Sequence, residues 1–246
     1  MKRYSYFLLM AALFLVLSGI TYFIHYLIFR DVHHIFIYMV GDLAFLPLEV
    51  FIVIIVIERI LSYREKRAIL VKMNMVIGAF FSETGNFLLG YLPRHFTNRE
   101  EIARNLNVRQ DWMRQDFKRA GEYAHNLKIE LDIHKVNLAE LKSYLETKRT
   151  FLLTLMENPN LLEHDRFTDL LWATTHLDEE LASRPSLENI PESDLAHLAI
   201  DIERTYDHLA SEWLDYAEHI KANYPFLFSL LVRTHPFQDN PSATVM

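Results

Sequence analysis

Three groups of ionisable residues in this 246-residue sequence have the types and spacing to do chemistry. The first lies in the hydrophobic N-terminal quarter, where Glu49 interrupts an apolar run and Ser18, Tyr22 and His25 recur at i, i+4, i+7 intervals, placing all three on one helical face. An ionisable side chain inside a bilayer is costly and faces a partner, a cavity or a pore. Two arrangements satisfy Glu49: a hydrogen-bonded pair with His25 that fixes two helices together, or a ring of Glu49 side chains around a cation path in an oligomer. Asp42 completes this polar set and reads as the N-cap of the second helix, its carboxylate taking the free amides. The second group is Glu122 and His125, a Glu-x-x-His spacing that puts a carboxylate and an imidazole on one di-metal centre in helical bundles. Asp194 and His197 echo it weakly, but such centres need two pairs and two further carboxylates, so solvated helix faces account better for Glu122 and Asp194. The third is the basic run Arg59, Arg64, Lys66, Arg67 and Lys72, which suits anionic lipid head groups.

Other chemistries are excluded by composition or by missing patterns. There is no cysteine, hence no thiolate zinc site, disulfide framework or cysteine nucleophile. The six glycines form no phosphate-cradling loop, and neither Gly-x-Ser-x-Gly nor His-Glu-x-x-His occurs. Residues 158–246 hold 16 of the 32 acidic residues and only 5 of the 25 Lys and Arg. Such an acidic third argues against nucleic acid as a partner, because phosphate neutralisation needs a basic surface. It suits docking of a basic protein, although ordinary solubility of helical surfaces explains most of these charges. No cofactor is implied.

The elements that must position these residues are helices. Residues 6–29 carry no charge and match the ~20 apolar residues that cross a bilayer. With Asp42 as cap, a second span runs over about 43–61, with 32–41 as a short apolar link at the outer surface and Glu49 roughly 10 Å below the outer helix end. Lys2 and Arg3 before the first span and the basic run after the second place both termini in the cytoplasm, in the cell membrane. Residues 68–81 are too short and polar to span; they read either as a buried helix or as an interfacial one. The domains are therefore 1–62, a transmembrane hairpin; 63–92, a juxtamembrane segment; and 93–246, a cytosolic body.

Within that body, Thr97-Asn98 with Glu100 and Glu101 form a helix start. A 3/4 spacing of apolar residues then runs from Phe117 to Leu155, interrupted by His134 and Lys148, which predicts a coiled-coil-like seam in one long helix or in two helices broken near Gly121. Asn158-Pro159-Asn160 stops it. Shorter helices follow, one from about Glu163 to Leu181 and a long one opened by Pro191 and ended by Asn223-Tyr224-Pro225. No alternating strand pattern bounded by hairpin turns is apparent. The fold class is all-α: a transmembrane hairpin and a long-helix bundle.

The segments at 41–49 (GDLAFLPLE), 74–83 (NMVIGAFFSE), 158–164 (NPNLLEH) and 224–230 (YPFLFSL) resemble a family of uncharacterised prokaryotic two-span membrane proteins with a cytosolic helical domain. The resemblance implies the topology and supplies no catalytic residue. The expected function is a membrane-anchored, non-enzymatic scaffold or signalling protein, homo-oligomeric through its seam. The alternatives are an oligomeric cation channel with Glu49 near the path and, last, a metal-dependent bundle enzyme.

Overall fold

The computed structural model describes residues 2–161, 164–238 and 241–244, with side chains for all of these except 2–7, 66–68, 70 and 71. Lys66 and Arg67 therefore lie outside the described side chains. Two compact units divide between Glu65 and Lys66.

The first unit holds α1 (Lys2–Phe29) and the beginning of α2 (Val32–Phe80). A two-residue turn joins them, with Arg30 in the left-handed region at φ 50°. Asp31 Oδ1 accepts the amides of His33 and His34 at 2.9 and 3.3 Å, so Asp31, not Asp42, caps α2. Once those free amides are satisfied nothing stops the helix at 41, and residues 32–41, expected as a link, are helical throughout. Pro47 is carried inside the helix rather than in its first turn. Leu8–Phe29 and Val32–Glu65 are long and apolar enough to cross a membrane, and none of either stretch is buried within the protein. A core helix of a soluble protein would be covered on its apolar face; these are not.

The second unit is a closed helical body. The end of α2 enters its core through Met73, Ile77 and Phe80, followed by Phe81, so one apolar face of 73–81 is packed inside the bundle while Met75 stays exposed; the side chains of 68, 70 and 71 lie outside those described. Directly after α2 the chain makes a π-helical turn, Phe81–Gly85, leading into α3 (Asn86–Tyr91). The Tyr144 hydroxyl donates to the carbonyl of Glu83 at 3.0 Å, meeting an acceptor that the widened turn leaves over. At Gly85 a Cβ would come within 2.6 Å of the Phe81 ring, which is why only glycine fits there.

After a 3-10 turn come α4 (Arg99–Leu106), α5 (Arg114–His125), α6 (Leu138–Met156), α7 (Asp165–Ser183), α8 (Glu192–Asn223) and α9 (Pro225–Thr234). Helix α8 is the central one, packed against α5, α7 and α9, while α6 packs on α7. Its Tyr206 and Trp213 are fully buried, Tyr206 edge-on to Phe96 and Trp213 edge-on to Phe237.

The seam from Phe117 to Leu155 is neither one helix nor a hairpin broken at Gly121. Gly121 lies inside α5, and the break falls at residues 126–137. There the chain runs extended beside 95–98: Thr97 N–H donates to Glu130 O at 2.9 Å and Asp132 N–H to His95 O at 3.0 Å. Asn98, expected as a helix cap, spends its side chain on this segment, its amide donating to Lys128 O at 2.6 Å. Phe117, Ala120 and Ala124 of α5 and Leu141, Leu145 and Leu152 of α6 are buried in the protein's own core, so the apolar period fills an intramolecular bundle and leaves no coiled-coil stripe for a second chain. Lys148 points to the seam edge, its ammonium 3.1 Å from Glu83. Among the described residues there is no strand, only an isolated bridge between Phe96 and Leu131.

Candidate functional site

In the first unit the polar face of α1 is real, but its partner is not Glu49. Because α2 starts at Val32, Glu49 lies about 27 Å along it, whereas His25 is only about 6 Å from the end of α1. His25 Nε2 instead meets His34 Nδ1 at 3.4 Å, the two imidazoles stacked on each other, with Phe29 tilted against His25 and Tyr38 edge-on to His34. Ser18, Thr21, Tyr22 and His25 of α1 and Ile35, Tyr38 and Asp42 of α2 line an open cleft of about 530 Å³. Asp42 thus joins Ser18, Tyr22 and His25 there. Glu49 follows Asp42 by seven residues on the same face of α2 but lies beyond the cleft. Arg59, Arg64 and Lys72 are exposed.

In the second unit the Glu-x-x-His pair is not a site. Glu122 faces solvent on α5 and pairs with Lys118 at 3.8 Å, and His125 is exposed in the last turn. Of its echo, Asp194 is held bidentately by Arg184 at 2.6 and 2.9 Å. His197 belongs to a different cluster, which spacing three does not find. It repeats at spacing four on two adjacent helices: His176 and Glu180 on α7, His197 and Asp201 on α8.

Helices α7 and α8 run antiparallel, joined by 184–191, which brings these two pairs face to face. One ligand atom from each of the four side chains lies within 4.8 Å of every other. His176 Nε2 is 3.6 Å from Asp201 Oδ2 and 3.9 Å from Glu180 Oε1; His197 Nε2 is 3.4 Å from Asp201 Oδ2 and 3.6 Å from Glu180 Oε2. The two imidazoles are half exposed and Asp201 is buried, with 1% of its side chain accessible. Two arginines hold the carboxylates. Arg204 Nη1 donates to Asp201 Oδ1 at 2.7 Å and Arg184 Nη1 to Glu180 Oε2 at 2.8 Å. The Arg184 hydrogen bond keeps the Glu180 carboxyl below its ordinary range. Asp201 Oδ2, the oxygen facing both imidazoles, has no hydrogen-bond partner.

A second buried acid lies further along α8. Glu212 is 1% exposed, and burial, reinforced by Asp215, pushes its carboxyl up to about 8. His164 Nδ1 accepts the Phe167 amide at the start of α7, which leaves the proton on Nε2, 3.8 Å from Glu212 Oε1. Burial lowers the His164 pKa, so both groups are neutral at pH 7. Between α6 and α7, buried Asp178 is met by Arg149 at 2.6 Å.

Two long apolar helices followed by a helical bundle define an all-α protein of the two-span type. Residues 2–61 match the family described as MJ1433, N-terminal helical domain, and residues 69–233 match Uncharacterized protein MJ1433, C-terminal helical domain. The chain is 44% identical over 244 residues to Uncharacterized protein MJ1433 of Methanocaldococcus jannaschii, covering 99% of this chain and 97% of that one. The chain belongs to the MJ1433 family. No solved structure matches it.

Proposed function

We propose that the protein is a membrane-anchored, non-enzymatic scaffold or signalling module: α1 and the first part of α2 cross the cytoplasmic membrane, both termini are cytoplasmic, and the helical body meets partner proteins. The observation that carries this reading is that both apolar helices are long enough to span and that none of their described residues is buried. Such a surface in water is an aggregation liability, and lipid is the solvent that suits it. The exposed Arg59 and Arg64 at the end of the apolar stretch support the orientation and suit anionic head groups.

Homo-oligomerisation belongs at the spans, since the seam is spent on the protein's own core. His25, Asp42 and Glu49 in lipid favour a neighbouring chain that supplies polar company. The acidic third offers a smaller docking surface than its composition suggests: Glu180, Asp194, Asp201 and Asp215 are paired with arginines, and Glu212 is buried. Exposed Asp165, Asp169 and Glu188 remain for a basic partner.

An oligomeric cation channel is the second reading, favoured by the shared face of Asp42 and Glu49 beside the polar cleft. Cation flux into proteoliposomes of the purified full chain separates the two. The scaffold reading expects no flux above empty vesicles and an unchanged result for Glu49→Gln. Flux that Glu49→Gln abolishes establishes the channel instead.

A further inference from the structure

We propose that His176, Glu180, His197 and Asp201 form a binding site for one divalent first-row transition-metal ion, bridging α7 and α8. The separations across the cluster carry the argument. The imidazole-to-carboxylate distances of 3.4–3.9 Å are too long for hydrogen bonds. They are close to the ~3.3 Å edges of a tetrahedron built on ~2.0–2.1 Å metal bonds to nitrogen and oxygen. All four ligand atoms lie within 4.8 Å of one another, and inward rotation of the half-exposed imidazoles by about an ångström closes the remainder.

Two further features point to a cation. Asp201 Oδ2 is a buried carboxylate oxygen aimed between two imidazoles with no hydrogen bond of its own, an arrangement that wastes an acceptor unless something positive sits there. Arg204 holds Asp201 Oδ1, the oxygen turned away from the imidazoles, the position from which second-sphere partners orient ligating groups, while Arg184 holds Glu180 Oε2 and leaves Oε1 as the free ligand oxygen on the His176 side. Arg184 is itself fixed by Asp194, so Glu180 cannot swing away freely.

The donor set names the class of ion. Two imidazoles and two carboxylates, with no sulfur, suit zinc, cobalt, nickel, manganese or iron in the divalent state and disfavour copper(I). Calcium and magnesium prefer all-oxygen shells. Beside the cluster, a surface groove of about 480 Å³ lined by Asp169, Trp172, His176, Arg204 and His208 gives the ion a route from solvent.

The test uses tag-free, full-length protein in detergent, stripped with a chelator and titrated with cobalt(II), read by visible absorption and native mass spectrometry. One equivalent is expected to bind with the intense bands of a low-coordinate site, and zinc(II) is expected to compete for it. The variants His176→Gln and His197→Gln, both at half-exposed positions where folding is checked by circular dichroism, are expected to lose this binding by about 100-fold or more. Arg204→Gln weakens it about 10–100-fold through the second sphere. The double variant Glu122→Gln/His125→Gln keeps it. The proposal is overturned if the wild-type chain takes up no stoichiometric cobalt(II) or zinc(II), or if uptake is the same in folded His176→Gln and His197→Gln proteins.

Discussion

At the scale of single residues, Glu212 makes the clearest claim on pH. An unfolded glutamate titrates near ~4.3, whereas the buried carboxyl titrates at about 8, so between those values the native chain holds a proton that the unfolded chain lacks. Stability contributed by this group is therefore present at low pH and lost as pH rises towards 8. The buried histidines act in the opposite sense: His235 is pushed down to about 4 and His164 is lowered, both by burial, so they remove stability as pH falls below ~6.5. The lowered histidines, His95, His164, His219 and His235, still gain stability as pH rises from ~6.5, so Glu212 is isolated by comparison with its variant. Between about pH 6.5 and 8 the unfolding free energy of the wild-type protein falls by about 2 kcal/mol relative to that of Glu212→Gln. Thermal or denaturant unfolding at the two ends of this range checks it. The site residues were only partly legible in the sequence. His197 was visible as part of an Asp-x-x-His echo, but its partner is Asp201, four residues on, and the matching His176-x-x-x-Glu180 gains meaning only once α7 and α8 are known to be neighbours.

At the scale of elements, composition alone located both apolar helices, because a long run of high hydropathy with few charges is the whole of that signal. Their boundaries depended on which aspartate caps α2, and a cap is a local contest that composition does not decide. The seam failed for a different reason. Leu127, Ile129, Leu131 and Ile133 alternate with Lys128, Glu130, Asp132 and His134, a period of two hidden inside a 3/4 reading that shared Leu127, Leu131 and His134. The chain follows the alternation over 127–132, turns through a 3-10 helix at Ile133–Lys135, and α6 must then restart. It does so at Asn137, whose side chain accepts the Glu140 amide at 3.1 Å. Replacing that cap by alanine removes about 1 kcal/mol of stability, whereas Asn137→Asp, which keeps an acceptor, removes far less. Chemical denaturation of the two variants side by side measures the difference.

At the scale of the whole molecule, the division between Glu65 and Lys66 separates two apolar helices with no buried residue among those described from a part with a closed core of its own. The full chain is expected to stay in the membrane pellet through an alkaline carbonate wash, and only detergent should release it. Recovery in the wash supernatant refutes membrane insertion.

The unequal apolar lengths of the two N-terminal helices bear on this insertion. Leu8–Phe29 and Val32–Glu65, 22 and 34 residues long, extend about 33 and 51 Å. In the proposed membrane arrangement the tight turn at Arg30-Asp31 ties their ends on one side of the bilayer, so a hydrocarbon layer of ~30 Å would match the first helix and not the second. The excess must be taken up by tilt of α2 or by its emergence at the opposite face, where Glu58, Arg59, Arg64 and Glu65 provide the first charges. Hydrophobic mismatch is thus written into the chain, and the pose of α2 becomes a function of the thickness of the lipid around it.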